Sequence, residues 1–543
     1  MNNTLIPMGW AKCFLGDVLI VKNGYAFKST DYSSEGIPLI RISDIQNGKV
    51  STLNSALIPQ NKANLDFLIE TGDLLIAMSG ATTGKIGVYE GLHPCLQNQR
   101  VGNFKIYSKD LLDKNFRNFY VNSLRKQIEI TAYGGAQPNI SSSLLEGFEI
   151  LLPPLNEQRR IVAKLEKLLA KVDTCKERLD KIPGILKRFR QSVLSAACSG
   201  RLTADWRENN PDVESAEELL KRIQAKRLKK YEEESARAKL EGRRKPKKPK
   251  EFQLLSETPN IDIPKSWEVA YPEDLCSSKD YSIGIGPFGS NLKVSDYTND
   301  GVPLIFVRHI RSGNFAGLDP KYVTPEKAQE LLPHMVEPLD LLITKMGEPP
   351  GDCEIYPDGR PNGIISSDCL KFRIWETDLE RVFFKHCINS FIIKDQLGLI
   401  TKGVAQQKIS VERFKSILFP VPPLAEQQEI VRRVENLFKT ADQIEQRYQK
   451  ARTYIDQLTQ SILAKAFRGE LVPQDPNDEP ASVLLERIRA ERENRENVAK
   501  TAKKPAANKK QRSKKAQPQL EPTPQLEPTP QSEPIQLELP LFD

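Results

Sequence analysis

The chain is written twice, and that constrains its fold more than any other feature. Pro153-Pro154-Leu155-Asn156-Glu157-Gln158 returns as Pro422-Pro423-Leu424-Ala425-Glu426-Gln427, an offset of 269 residues. Ala136-Gln137 and Ala405-Gln406, Ile140-Ser141 and Ile409-Ser410, Gln191-Ser192 and Gln460-Ser461, and Gly200 and Gly469 keep that offset, with no gap. Upstream the match loosens. Gly36-Ile37-Pro38-Leu39-Ile40 pairs with Gly301-Val302-Pro303-Leu304-Ile305, Asp73-Leu74-Leu75-Ile76 with Asp340-Leu341-Leu342-Ile343, and Trp10 with Trp267. A fixed repeat means two like structural units. Each has a diverged globular part followed by a closely matched segment.

The matched segment has the period of a long helix. Leu165, Leu168, Val172, Cys175, Leu179 and Ile182 alternate 3 and 4 apart, and so do Val434, Leu437, Ala441, Ile444, Tyr448 and Ala451. The Pro-Pro pairs block helix before each start, and Gly200 and Gly469 suit each stop. Pro183-Gly184 predicts a kink in the first copy, whereas Arg452-Thr453 leaves the second straighter. About 40 residues at ~1.5 Å each make a rod of ~60 Å. A lone stripe describes a core helix of an ordinary bundle equally well. Two stripes in register favour helices packed on each other, antiparallel, which turns a direct repeat in sequence into an inverted repeat in space.

The globular parts carry short β-like runs, among them Ile37–Ile42, Leu74–Met78, Ile86–Tyr89, Leu304–Val307 and Leu341–Thr344, with helical stretches near Leu111–Ile130 and Glu380–Leu397. The expected fold class is α/β: two α/β domains joined by two long antiparallel coiled-coil helices, a pseudo-twofold repeat, and a disordered C-terminal tail. The expected layout is a first domain (1–152), a first long helix (153–200), a charged helical linker (201–261), a second domain (262–421), a second long helix (422–469), a repeated linker helix (470–498) and the tail (499–543).

Charge is concentrated in the connecting segments. Lys221–Lys250 is net +10 and Lys500–Lys515 net +8, in a chain of net +8, so everything else is net negative. DNA or RNA contact by the folded body must therefore use local patches. The eight cysteines include no Cys-x-x-Cys pair and the four histidines are scattered, which argues for a reducing cytoplasm and against a metal or disulfide scaffold. No apolar run approaches the ~20 residues that span a bilayer, so no membrane partner is expected.

No catalytic motif stands complete in the sequence. Gly80-Ala81-Thr82-Thr83-Gly84-Lys85-Ile86 is one residue short of a phosphate loop, and Ile86 stands where magnesium needs Ser or Thr. It reads as a tight turn between strands. Glu348-Pro349-Pro350-Gly351 lacks the flanks of an amino-methyltransferase motif, and Pro357-Asp358 with Asp368-Cys369-Leu370-Lys371 misses the spacing of a metal-dependent nuclease. Together these favour a binding protein, with no catalytic residue and no metal site.

Two variable units, each followed by Pro-Pro-Leu-x-Glu-Gln and a long helix, resemble the specificity (S) subunit of type I restriction–modification systems. Ile182-Pro183-Gly184-Ile185-Leu186-Lys187-Arg188-Phe189-Arg190-Gln191 is similar to that family's central conserved helix, and Leu458–Leu471 to its distal one. The resemblance covers roughly residues 1–492. It implies that the chain reads a bipartite, asymmetric site in double-stranded DNA, one half per domain, and scaffolds two methyltransferase (M) and two restriction (R) subunits. It implies no cofactor on this chain; S-adenosylmethionine, ATP and magnesium would belong to the partners. The alternatives are a stand-alone nuclease or methyltransferase, and a coiled-coil adaptor without sequence specificity.

Arginine suits guanine, and asparagine or glutamine suits adenine, in the major groove. The base-reading candidates are Arg41, Gln97, Asn98, Gln99 and Arg100 in the first domain, and Arg308, His309, Arg311 and Lys345 in the second. Leu155, Arg188, Leu424 and Lys465 are candidates for docking subunits. At the C-terminus, Gln536, Leu537, Leu539, Leu541 and Phe542 resemble the peptide by which bacterial proteins bind the replication sliding clamp. Against each candidate stands the plain reading of a solvated or packing side chain.

Overall fold

The computed structural model describes residues 6–133, 138–249, 251–252, 262–317, 319–347, 349–375, 377–401 and 408–502. The chain divides into two compact units, one formed by Met1–Val162 with Val472–Asp543 and the other by Ala163–Leu471. The clamp-like peptide, the tail from residue 503 and the loops holding Ala136-Gln137 and Ala405-Gln406 lie outside the described residues.

Each unit opens and closes its globular part with a two-stranded antiparallel ribbon: Ala11–Phe14 against Glu149–Leu152 in the first, Glu268–Ala270 against Phe419–Val421 in the second. Inside the first, Leu74–Ala77 lies between Val101–Ile106 and Ile86–Val88 in a six-stranded sheet. Inside the second, Leu341–Thr344 lies between Cys369–Phe372 and Cys353–Ile355 in a four-stranded sheet. Leu74, Leu75, Ile76, Leu341, Leu342 and Ile343 are all completely buried, which explains runs of consecutive apolar residues where a half-exposed strand would alternate.

A second, four-stranded sheet recurs as well. Ile37–Ile40 runs parallel to Cys95–Gln97, and Val302–Ile305 parallel to Gly363–Ile365. Both are flanked by antiparallel strands, which makes the sheets mixed. The two long sequence helices expected within the globular parts are each broken in two, into Lys114–Ser123 and Arg125–Ala132, and into Arg381–Asn389 and Phe391–Thr401.

The matched segments are helical throughout. The first copy comprises α1 (Leu155–Leu179) and α2 (Ile182–Cys198). Pro183 sits in the first turn of α2, where its missing N–H costs nothing but cannot continue α1. After these comes α3 (Ala216–Leu240), capped by Ser215, whose hydroxyl accepts from Glu218 N while the Glu218 carboxylate accepts from Ser215 N. The second copy, lacking proline, is one unbroken helix, α4 (Leu424–Phe467), of 44 residues. Gly200 and Gly469 follow α2 and α4 with φ +74° and +75°, the left-handed stop.

In the second unit α1–α2 and α4 are antiparallel. Lys176 pairs with Asp456, Asp180 with Arg452, and Arg190 with Asp442, so partner numbers fall as the first rise and each pair keeps one total. Combined with the repeat offset, that register centres the symmetry of this helix pair between Lys181 and Ile182 and between Lys450 and Ala451, beside the break at Pro183.

The helix α3 is not a free-standing linker. Leu219, Leu220 and Ile223 belong to the second unit's core, together with Trp267, Phe372, Phe383, Phe384 and Val434. Its repeat, α5 (Ala481–Ala502), buries Leu484, Leu485 and Ile488 in the same positions. Ala216 N donates to Ser266 O and Ala481 N to Gly9 O, the carbonyls just before Trp267 and Trp10.

Candidate nucleic-acid interface

In each unit the parallel strand pair delivers a turn to its carboxyl ends, the place where open α/β sheets present ligand-binding loops. After Cys95–Gln97 the chain turns at Asn98-Gln99-Arg100; Val101 N donates to Asn98 O (2.9 Å), and Asn98 N donates to Ile40 O (3.1 Å), next to Arg41. In the second unit the turn is Ser366-Ser367-Asp368; Cys369 N donates to Ser366 O (3.0 Å) and Ser366 N to Ile305 O (2.8 Å). A glycine makes room for each turn. A Cβ on Gly24 would run into the carbonyls of Gln97 and Asn98, and one on Gly286 into those of Ile365 and Ser366.

This placement sorts the sequence candidates. Gln99 and Arg100 are exposed, and their side chains make no hydrogen bond or ion pair among the described residues. Asn98 Oδ1 accepts from Arg100 N at 3.4 Å. Arg41 is half-buried, 3.7 Å from Asp44 and donating to Asn54 O (3.0 Å). Gln97, by contrast, is 1 % exposed, and its amide N–H groups go to Lys22 O and Val101 O (both 2.7 Å), so it serves the fold.

In the second unit Lys345 is 8 % exposed; its ammonium donates to Ser367 O (3.1 Å) and lies 5.3 Å above the Phe288 ring, itself 64 % exposed. Burial pushes the Lys345 amine below the usual lysine value, Asp368 opposes that shift, and Lys408 adds to it. Arg311 pairs with Asp352 (3.1 Å). Arg308 stacks over Phe306 at 4.3 Å and donates to Asp319 O (2.8 Å). His309 is buried, with Nδ1 accepting from Phe306 N (3.1 Å), the job that the Asp44 carboxylate does for Arg41 N in the first unit. Sequence reasoning missed Phe288 and Lys408; Lys408 falls at the repeat offset on Asn139, and nothing local marks either as close to Lys345.

The repeated Glu-Gln has a structural meaning. Gln158 Nε2 donates to Pro153 O (3.0 Å) while Oε1 accepts from Asp113 N (3.1 Å), the residue that caps Lys114–Ser123. Gln427 does the same for Pro422 O (2.8 Å) and Glu380 N (2.8 Å), the cap of Arg381–Asn389. Each glutamine thus pins the first long helix of a domain to the helix that leaves it. Leu155 and Leu424 are half-buried, and Leu424 packs against the core of its unit. Arg188 and Lys465 are exposed on α2 and α4.

The phosphate-loop-like stretch is a turn between Leu74–Ala77 and Ile86–Val88, with Thr83 Oγ1 donating to Gly80 O (2.6 Å) and packed against Pro138 O (3.0 Å). Among the described residues no group of His, Cys, Asp and Glu could hold a metal ion, and no helix is long and apolar enough to cross a membrane.

Comparison with known proteins matches this architecture. The family model for the type I restriction modification DNA specificity domain matches residues 7–183 and 361–452. The EcoBI specificity subunit of Escherichia coli is 30% identical over 496 residues, covering 89% of this chain and 92% of that protein. The EcoKI specificity subunit of Escherichia coli strain K12 is 30% identical over 523 residues, covering 91% and 97%. A chain from a solved structure concerned with assembly and conformational transition of the type I R-M system shares the fold, with TM-score 0.54, 18% identity and coverage of 86% of this chain and 99% of that one. The doubled sequence, the paired helices and these relatives lead to one conclusion: the chain belongs to the specificity subunits of type I restriction–modification systems.

Proposed function

We propose that each unit reads one half of a bipartite, asymmetric DNA site. The carrying observation is that both units bring arginine, lysine or amide side chains to the carboxyl-end side of the parallel strand pair, in or beside the turn there or on the segment that follows its first strand. The side chains differ there: Arg41, Asn98, Gln99 and Arg100 in one unit, Arg308, Arg311 and Lys345 in the other. Like frames with unlike side chains suit two unlike half-sites. Gln97 and His309 support these turns from within.

The chain supplies recognition and scaffolding, and methyl transfer and cleavage fall to its M and R partners. Ile185, Phe189, Tyr454 and Leu458 are exposed apolar residues on α2 and α4, near Arg188 and Lys465, and offer those partners a surface. Mapping methylated adenine across the host genome, with and without this gene, tests the reading. Methylation should vanish from one asymmetric bipartite motif on deletion; an unchanged map contradicts it. For the C-terminal peptide the sequence alone supports clamp binding. No binding of a Pro534–Asp543 peptide to the host clamp at ~100 μM, weaker than typical peptide–groove pairs, would end that idea.

A further inference from the structure

The glutamate of the repeated motif is used unequally by the two units. In the second, Glu426 is completely buried at the start of α4. Its carboxylate accepts from Thr203 Oγ1 (2.7 Å), Arg207 Nη2 (2.7 Å) and Trp267 Nε1 (2.8 Å). Arg207 also donates to Gly200 O (2.6 Å) at the end of α2 and lies 5.8 Å over the Trp267 ring. Three segments therefore meet on one carboxylate, the short helical turns after α2, the residue before the second domain's ribbon, and the start of α4, and Arg207 ties them to the end of α2.

The first unit has the same tryptophan and glutamate without the rest. At the repeat offset, Val472 replaces Thr203 and Pro476 replaces Arg207, and neither side chain can donate. Glu157 is 1 % exposed, and Trp10 and Gln474, two neutral donors, face its carboxylate in place of a threonine and an arginine. The nearby Arg160 guanidinium is spent on Asp478 (2.6 Å). Burial pushes the Glu157 carboxyl above the usual glutamate value, with Trp10 and Arg160 opposing the shift.

We propose that Glu426, held by Thr203, Arg207 and Trp267, is a positioning residue that fixes the angle of the second DNA-reading domain on its helix and thereby the spacing at which its half-site is accepted. Three donors on one buried carboxylate define an orientation, because each alternative angle leaves a donor or the charge unpaired. The first unit holds Glu157 by neutral donors alone, so substitution of Glu157 changes spacing far less. This inference rests on the two-reader function proposed above.

The test uses the full chain, co-expressed with its M partner, and genome-wide mapping of methylated adenine. Glu426→Gln, Trp267→Phe and Thr203→Val are compared with Glu157→Gln and the unaltered chain. The three second-unit variants should methylate sites with spacers one base pair longer or shorter at least 10-fold more often, relative to the normal spacer, with half-site bases unchanged. Glu157→Gln should stay within twofold of the unaltered chain. Unchanged spacer choice in Thr203→Val and Trp267→Phe, or loss of all methylation in all three, would overturn the proposal, the latter because the cluster would then serve folding alone. If the unaltered chain yields no bipartite motif, the two-reader function itself fails, which is a separate outcome.

Discussion

Asn98-Gln99-Arg100 and Gln97 are neighbours in sequence in opposite environments. The turn projects Arg100 into solvent without a partner among the described residues, while the buried Gln97 side chain closes two hydrogen bonds beneath it. Arg100→Ala should leave the melting temperature unchanged and weaken binding of the assembled complex to its site by about 1–3 kcal/mol, the value of one bidentate base contact. Gln97→Ala should instead lower the unfolding free energy by about 1–3 kcal/mol, because two backbone carbonyls lose their donors. Thermal melts and anisotropy titrations with duplex DNA separate the two effects. An Arg100→Ala chain that melts early yet binds normally would remove Arg100 from the interface. Residue type and position proposed all four as readers, since an amide suits adenine wherever it stands. Only burial divides them, and burial depends on Lys22 and Val101, which the local pattern around Gln97 does not reveal. His309 shows the same limit: it stands in for an aspartate cap, a substitution visible only when Phe306 and Arg41 are superposed as strand ends.

At the scale of elements, the long helices were legible because a seam of apolar residues, two Pro-Pro pairs and two glycines all agree. Pro183 breaks the first copy where its missing N–H forbids continuation, and α4, without proline, runs on. The helix α3 was harder to read, since charge dominates its composition and suggests a solvated face. Its docking depends on three apolar residues and on Asp378, which receives Lys226 (2.8 Å), Thr377 (2.7 Å), Trp375 Nε1 (3.0 Å) and Arg222. Burial alone would raise the Asp378 carboxyl, but these donors and the Arg222 charge outweigh it and hold it at about 2. A carboxyl depressed in the folded state stabilises above its unfolded value near 3.8 and loses that contribution as pH falls toward about 2. Asp378→Asn should therefore cost about 2 kcal/mol at neutral pH and flatten the stability change between pH 4 and 2. Hydrogen exchange along α3 checks this: faster exchange over residues 219–230 is expected, and unchanged protection would mean that the apolar residues alone dock the helix.

At the scale of the molecule, a repeated sequence gives two units built to one plan and loaded with different side chains. The plan was legible: Pro-Pro-Leu-x-Glu-Gln, the Trp pair and the Asp-Leu-Leu-Ile strands mark equivalent places in both. The differences were not, because Arg207 and Thr203 act only in one unit and align with Pro476 and Val472 in the other. The plan also predicts modularity, since each ribbon of two strands closes a globular part whose turn at the carboxyl ends of the parallel strands is held from inside the same unit. The most direct measurement is to replace Met1–Leu152 with the corresponding part of another specificity subunit and map methylated adenine in cells that carry the hybrid with its M partner. One half-site should change completely, while the other half-site keeps its bases. Methylation that persists with both halves altered, or with neither altered, would contradict the assignment of one half-site to each unit.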